Sequence, residues 1–314
     1  MKRGCLLVVG VLAGAFAAWA VLLFTRAPGV DSVEVLVLSG LAALMTAGTF
    51  LALRRAFGLG ADEAAIRRAL RGEPLEDGRR GAALGELRPC EPDEALAAPF
   101  SGKPALAYEY EVHRQEEWFS EERGTGGATR QVRQQRRAVA LAGHARLPCE
   151  VRTVHGGVRV VTRPVLDLAA TDVDGEEARE RARRFVEETT FETVAPERLV
   201  AELKESLGDF TSADAPRRRD TRREEAVADL AGWTLSEKVV SPGQQVCVVG
   251  DYSVAAGGLA GRSASWAPVH LRIGEPGSSV EEVRGSRGCL LVAAGVLVLL
   301  QLLLLVRVLT AGGG

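Results

Sequence analysis

Three apolar segments bracket one long polar stretch, and that spacing constrains the fold more than any motif does. The segments are Gly4–Phe24, Val33–Leu53 and Cys289–Thr310. Each is about 20 residues long, enough to cross a hydrocarbon core about 30 Å thick. The stretch between the second and third, Arg54–Gly288, is long enough to bury a core of its own. The expected class is a membrane protein with α+β content: three transmembrane helices in a 2+1 arrangement and one β domain held at the bilayer.

Charge sets the expected orientation. Met1-Lys2-Arg3 precedes the first segment, Arg54 and Arg55 follow the second, and Arg284 and Arg287 precede the third. By the positive-inside rule the amino terminus and the domain are cytoplasmic. A cleaved signal peptide over Met1–Ala20 is the competing reading, and it leaves the domain on the same side. Only four of the basic residues are Lys, and Ala and Gly are abundant. That bias points to a GC-rich bacterial genome, and hence to a bacterial inner membrane. Gln301, inside the third segment, either hydrogen-bonds to a neighbouring helix or is tolerated in lipid. Arg3-Gly4-Cys5-Leu6-Leu7-Val8 recurs as Arg287-Gly288-Cys289-Leu290-Leu291-Val292.

Composition excludes several function classes. The balance of 39 Lys+Arg against 41 Asp+Glu makes no electrostatic case for nucleic acid as a partner. The five Cys and four His are scattered, without C-x-x-C spacing, so neither a zinc framework nor a disulfide scaffold can be written. No H-E-x-x-H, G-x-S-x-G or Walker A segment occurs. The expectation is no catalytic residue, no metal and no cofactor.

Along the polar stretch, residues 61–72 read as a juxtamembrane helix that starts at Ala61 or Asp62 and stops at Gly72. The β domain is expected over 75–273. Asp77-Gly78-Arg79-Arg80-Gly81-Ala82-Ala83-Leu84-Gly85-Glu86-Leu87 shares its pattern with Pro242-Gly243-Gln244-Gln245-Val246-Cys247-Val248-Val249-Gly250-Asp251-Tyr252. Each reads as a strand entered through a tight glycine turn and bent at a second glycine, as in small barrels. Ala105–His113 and Gln131–Ala142 are expected to pair across Gly124–Gly127. Arg146–Val154 and Gly157–Thr162 form a hairpin through His155-Gly156. Tyr108, Tyr110 and Trp118 read as core or cross-strand residues. A helical insertion is expected over 172–232, with helices at Asp174–Thr190 and Pro196–Leu207. Strands resume at Trp233–Val240, Gln244–Tyr252 and Val269–Ile273, and Gly274–Gly288 reads as a polar linker. Arg217, Arg218, Arg219, Arg222 and Arg223 are candidates for facing anionic lipid, although interleaved acids also suit a solvated loop.

The run Ala98-Pro99-Phe100-Ser101-Gly102-Lys103-Pro104, then a strand bearing Tyr108 and then Trp118, resembles the start of the GIDE, or "beside a membrane", domain family. Gly157–Pro164 and Pro242–Gly250 match later strands of that family in order, and the resemblance covers about 80–280. It marks Pro99, Ser101, Gly102, Pro104, Tyr108, Trp118, Pro242, Gly243 and Gly250 as family-motif positions. The resemblance implies a membrane-proximal β domain, found in membrane-bound E3 ubiquitin ligases whose activity is attributed to a carboxy-terminal RING finger. Here no RING ligand set can be drawn, and only Ala311–Gly314 follow the last apolar segment. The family's Asp in the hairpin turn is replaced by His155-Gly156-Gly157.

The reading is therefore a membrane-anchored, non-catalytic scaffold or sensor. Its partners are the bilayer and a protein in or at the membrane. The alternatives are an E3 ligase-like transferase, by resemblance, and a cytoplasmic-face lipid-binding module.

Overall fold

The computed structural model describes residues 32–188 apart from 93 and 124–128, residues 225–261 apart from 227, and residues 268–311, with isolated positions between 14 and 21. Most of the first apolar segment, the helix expected at Pro196–Leu207 and the arginines 217–219 and 222–223 lie outside the described residues. The chain divides into two compact units. One comprises residues 1–85, 151–165 and 245–314, and the other comprises residues 86–150 and 166–244.

In the first unit the second apolar segment and the expected juxtamembrane helix are one helix, α1, Ser32–Leu70. The break expected near residue 61 does not occur. No proline interrupts the run, and Asp62, read as a helix start, is instead a buried mid-helix acceptor. Gly60 does not break the helix either, and it makes room for a neighbour, since a Cβ there would lie 3.3 Å from the Arg287 guanidinium. The helix ends at Gly72, whose φ of 71° suits the left-handed cap. Gly72 N–H donates to the Ala69 carbonyl and Glu73 N–H to that of Arg68, a Schellman pair. At about 1.5 Å per residue α1 is roughly 58 Å long, about twice a hydrocarbon core.

The region read as a polar linker is also helical. It opens the last helix, Pro276–Ala311, which follows Gly274 (φ 117°) and begins with proline at its first position. Its early turns are held by burial of Val283, 1% exposed. Two helices, over Val37–Leu70 and Gly277–Val306, are long and apolar enough to cross a membrane, with mean hydropathies of 1.5 and 3.0. They run antiparallel. Gly48 admits Leu297, where a Cβ would sit 3.3 Å away, and Gln301 Nε2 donates to Thr46 Oγ1 at 3.2 Å. Of the two expectations for Gln301, the interhelical hydrogen bond is the one found.

The principal sheet has seven strands: β1 (Arg80–Pro89), β6 (Cys149–Thr153), β7 (Gly156–Val160), β8 (Pro164–Leu166), β11 (Gln245–Ser253), β12 (Gly258–Ala260) and β13 (Val269–Ile273). Their order is β1-β6-β7-β12-β11-β13-β8, and β1 also pairs with β11, so part of the sheet closes into a barrel-like ring. The β12–β7 pair is parallel. The two similar sequence segments are the strands that close this ring, and they pair with local two-fold regularity. Gly78 N–H donates to the Tyr252 carbonyl and Tyr252 N–H to that of Arg79. Correspondingly, Gly243 N–H donates to Leu87 and Leu87 N–H to Gln244, all four at 2.9 Å. Gly78 and Gly243 are the turn glycines, with φ of 72° and 79°. The second glycine of each segment is a point of close approach. A Cβ on Gly85 would fall 2.0 Å from the Arg152 carbonyl, and one on Gly250 would lie 3.1 Å from Val269.

The second unit contains β2 (Leu96–Ala97), β3 (Pro104–Ala105), β4 (Ala107–Arg123), β5 (Thr129–Arg146), β9 (Thr171–Val173), β10 (Thr234–Val240) and helix α2 (Glu176–Glu188). Four of these strands form a sheet in the order β5-β4-β10-β9, and β2 pairs with β3. Strands β4 and β5 make one long antiparallel hairpin with an irregularity at Val112/His113. α2 buries Ala178, Ala182 and Val186, a stripe at four-residue spacing. With Phe100, Tyr110, Trp233 and Leu235 they form the unit's core. Tyr110 stacks edge-on against Phe100 at 5.7 Å and Phe185 at 5.0 Å. Of the expected insertion over 172–232, the described parts are the end of β9, helix α2 and residues 225–232 apart from 227, where Ala226 and Leu230 join the same core. The last helix of the chain, Pro276–Ala311, is α3.

Candidate functional site

Two constellations of buried charge stand out, one in each unit. In the second unit the motif positions Pro99, Ser101, Gly102 and Pro104 form a tight loop leading into β3. Gly102 N–H donates to the Ala98 carbonyl at 2.9 Å, and Gly102 has φ 70°. Glu237, on β10 and 2% exposed, accepts the backbone N–H groups of Phe100 and Ser101, the second at 3.1 Å. Arg181 of α2 donates from Nε to the Phe100 carbonyl at 2.8 Å. A Cβ on Gly102 would lie 3.4 Å from the Arg181 side chain. A carboxylate and a guanidinium thus grip one turn of backbone. The loop's sequence is accounted for by this clamp. Tyr108 lines the core, and burial, followed by the Glu237 charge, raises its pKa. Trp118 falls in β4 opposite Gln134.

Beside the clamp, Lys238 donates to the Leu166 carbonyl at 2.9 Å and pairs with Glu109 at 3.3 Å. His113 is nine-tenths buried, with Nδ1 3.2 Å from Arg137 Nη2. Burial and then the Arg137 charge lower its pKa, against the pull of Glu111 and Asp172.

In the first unit a charged network lies where α1 and α3 meet the barrel. Arg80 of β1 donates from Nε to Asp62 Oδ1 at 2.7 Å and from Nη2 to the Pro268 carbonyl at 2.9 Å. Its Nη1 lies 3.8 Å from Asp251 Oδ1. At the next residue along α1, Glu63 takes Arg67 at 2.7 Å and, from α3, Arg287 at 3.3 Å. Around these ions pack Leu59, Ile66, Ala82, Val249 and Val283. Arg80 and Asp62 are nearly enclosed, with side chains 12% and 5% exposed. Removing one member of such a pair costs about 3–5 kcal/mol, because the other is left buried and uncompensated.

Among the described residues, a small cavity flanked by Arg68, Glu73, Leu75, Arg79 and Arg80 has about 10 Å³, room for about one water. Burial pushes the Cys247 thiol up to about 12 and that of Cys149 to about 11, so both stay protonated and poorly nucleophilic near neutrality. Among the described residues no group of three or more His, Cys, Asp or Glu is arranged to hold a metal.

Of the expected site residues, Pro242 and Gly243 turn the chain from β10 into β11, and Gly250 lies inside β11. Sequence reasoning missed Glu237, Arg181, Asp62, Arg80 and Asp251. The alternation of β10 carried one signal, since Glu237 shares a face with Leu235 and Val239 and so sits at an inward position. Compared with known proteins, the chain matches no family model, no curated protein and no solved structure.

Proposed function

We propose that this chain is a membrane-anchored, non-catalytic scaffold or sensor of the GIDE type. Its β domain lies on the cytoplasmic side of a bacterial inner membrane, held by a 2+1 set of spans. The observation that carries the reading is the continuity of α1 and α3. Each is long enough to cross a bilayer, and each continues into a core shared with the barrel strands. The Arg80–Asp62 and Glu63–Arg287 pairs tie the same helices to the sheet and to one another. A domain joined in this way moves with its spans and is suited to hold a partner near the membrane. Tethering raises the effective concentration of weak partners in the same bilayer. The absence of an eight-ligand zinc pattern in the sequence disfavours the ligase-like alternative.

The test is crosslinking in intact membranes, followed by affinity capture and mass spectrometry. The proposal expects a reproducible set of proteins joined through residues of the β domain. No reproducible partner, or turnover of a substrate by the purified chain, would count against it.

A further inference from the structure

The hairpin of β4 and β5 extends past the rest of its sheet. β10 pairs with β4 only over Ala107–His113. From Arg114 to Arg123 on β4, and from Thr129 to Ala138 on β5, the ladder has two strands. At about 3.4 Å per residue this ribbon is roughly 34 Å long. Among the described residues nothing pairs with the outer edge of β5, or with β4 beyond His113. Two-stranded ribbons without a packed face are marginally stable in water. This one has few apolar residues, namely Trp118, Phe119, Val132 and Ala138.

Its charge is divided by strand. Over 114–123, β4 carries Glu116, Glu117, Glu121 and Glu122 against Arg114 and Arg123, a net −2. Over 129–138, β5 carries Arg130, Arg133, Arg136 and Arg137 and no acid, a net +4. Arg133 pairs with Glu117 and Arg137 with Glu111. Their side chains nonetheless remain 60% and 48% exposed. A guanidinium has five N–H donors, so it can serve a second carboxylate as well.

We infer that the ribbon is a self-recognition surface: the basic β5 edge of one copy adds to the acidic β4 edge of a second copy. The inference rests on the scaffold reading and names one of its partners. Unpaired strand edges are templates for further strands, and charge decides which strand fits. Like charges placed opposite one another across a ladder destabilise it, whereas opposite charges stabilise it. Pairing β5 with β5 sets arginines against arginines, and pairing β4 with β4 sets glutamates against glutamates. The β5–β4 arrangement alone matches sign, and side-by-side copies keep the added strands antiparallel; the contact is confined to β4 beyond His113, because β10 holds the rest of that edge and the added ribbon must diverge from the sheet there. Such a contact is head-to-tail and does not close by two-fold symmetry, so it builds rows of copies in a membrane.

The experiment uses the full chain in lipid vesicles, labelled with donor or acceptor fluorophores and read by energy transfer. A charge-swapped variant inverts both strands: Glu116→Arg, Glu117→Arg, Glu121→Arg and Glu122→Arg with Arg130→Glu, Arg133→Glu and Arg136→Glu. Arg137 is kept for Glu111. Opposite charge across the ladder is then kept with its sign reversed, Arg114 loses its Glu116 partner but retains Glu225, and wild type and variant present like charge to one another. Transfer several-fold above the random-collision level is expected for wild type with wild type and for variant with variant. A mixture of the two should fall to the collision level. Wild type at the collision level, or a mixture as efficient as wild type alone, overturns the inference.

Should the swapped chain not fold, the wild type alone decides. Raising salt from about 0.1 M to about 1 M shortens the screening length from about 10 Å to about 3 Å. The excess transfer should drop several-fold, and insensitivity to salt overturns the inference. Collision-level transfer together with reproducible captured partners would sink self-pairing while leaving the scaffold reading intact.

Discussion

Replacing Glu237 by Gln tests the reading of the motif loop as a structural clamp. The carboxylate is buried and accepts two backbone N–H groups, from Phe100 and Ser101. A glutamine amide keeps the shape but offers one oxygen, so its NH2 group faces one of these donors. A hydrogen bond to a charged group contributes about 1.5–3 kcal/mol, and a buried N–H left unsatisfied costs about 1–3 kcal/mol. The loop should therefore open more easily by about 2–4 kcal/mol, an increase of roughly 30- to 1000-fold in its open population. Hydrogen exchange read by mass spectrometry on the full chain in detergent reports this directly. Peptides covering 98–103 should exchange faster by that factor, while peptides from the α1–barrel core keep their protection. Glu237→Asp, shorter by one methylene, should fall between the two. Unchanged exchange at 98–103 in the Gln variant would refute the clamp and return the motif to the list of functional candidates.

Gly85→Ala places a Cβ against the Arg152 backbone carbonyl, which cannot rotate away. It should destabilise the fold by at least the roughly 1–3 kcal/mol typical of overpacking, seen as a lower thermal midpoint, whereas Gly288→Ala, with open space around it, should be close to neutral. The folded His113 pKa lies below its unfolded value, so the unfolded chain binds the proton first on acidification. Stability should thus fall as pH drops below about 6.5, down to the folded pKa, and denaturation of His113→Asn should lose that part of the pH dependence. Gln301→Leu removes the Thr46 hydrogen bond inside the helix pair. Polar contacts of this kind contribute about 0.6 kcal/mol on average, so the variant should show only a small loss of thermal stability in detergent.

How far the sequence could be read depended on the range of each interaction. The second and third apolar segments were legible as helices long and apolar enough to cross a membrane, because their signal is local and long. The turn glycines Gly78 and Gly243 were legible because a positive φ restricts residue choice at a single position. The pairing of the two similar segments was not read, since similarity does not say that two strands are neighbours. Once β1 and β11 are paired, Arg80 comes to lie near Asp251. Helix ends were misread wherever tertiary packing overrode local chemistry. Asp62 has the residue type of a cap, but Arg80 holds it within a longer helix. Residues 276–288 are polar enough for a linker, yet Val280 and Val283 pack on the barrel core and extend α3 toward the sheet. The Glu237 clamp joins positions more than 130 residues apart, and period-two alternation marked only its inward direction.

The most direct test of a membrane-fixed cytoplasmic domain is thiol labelling of Val154→Cys, at a turn position 88% exposed. The full chain is expressed in bacterial cells and treated with a membrane-impermeant maleimide, with the wild-type chain measuring background from its own thiols. The account predicts no added labelling in intact cells and strong added labelling in inverted membrane vesicles. Added labelling in intact cells would place the domain outside, and release of the protein from washed membranes would remove the anchor altogether.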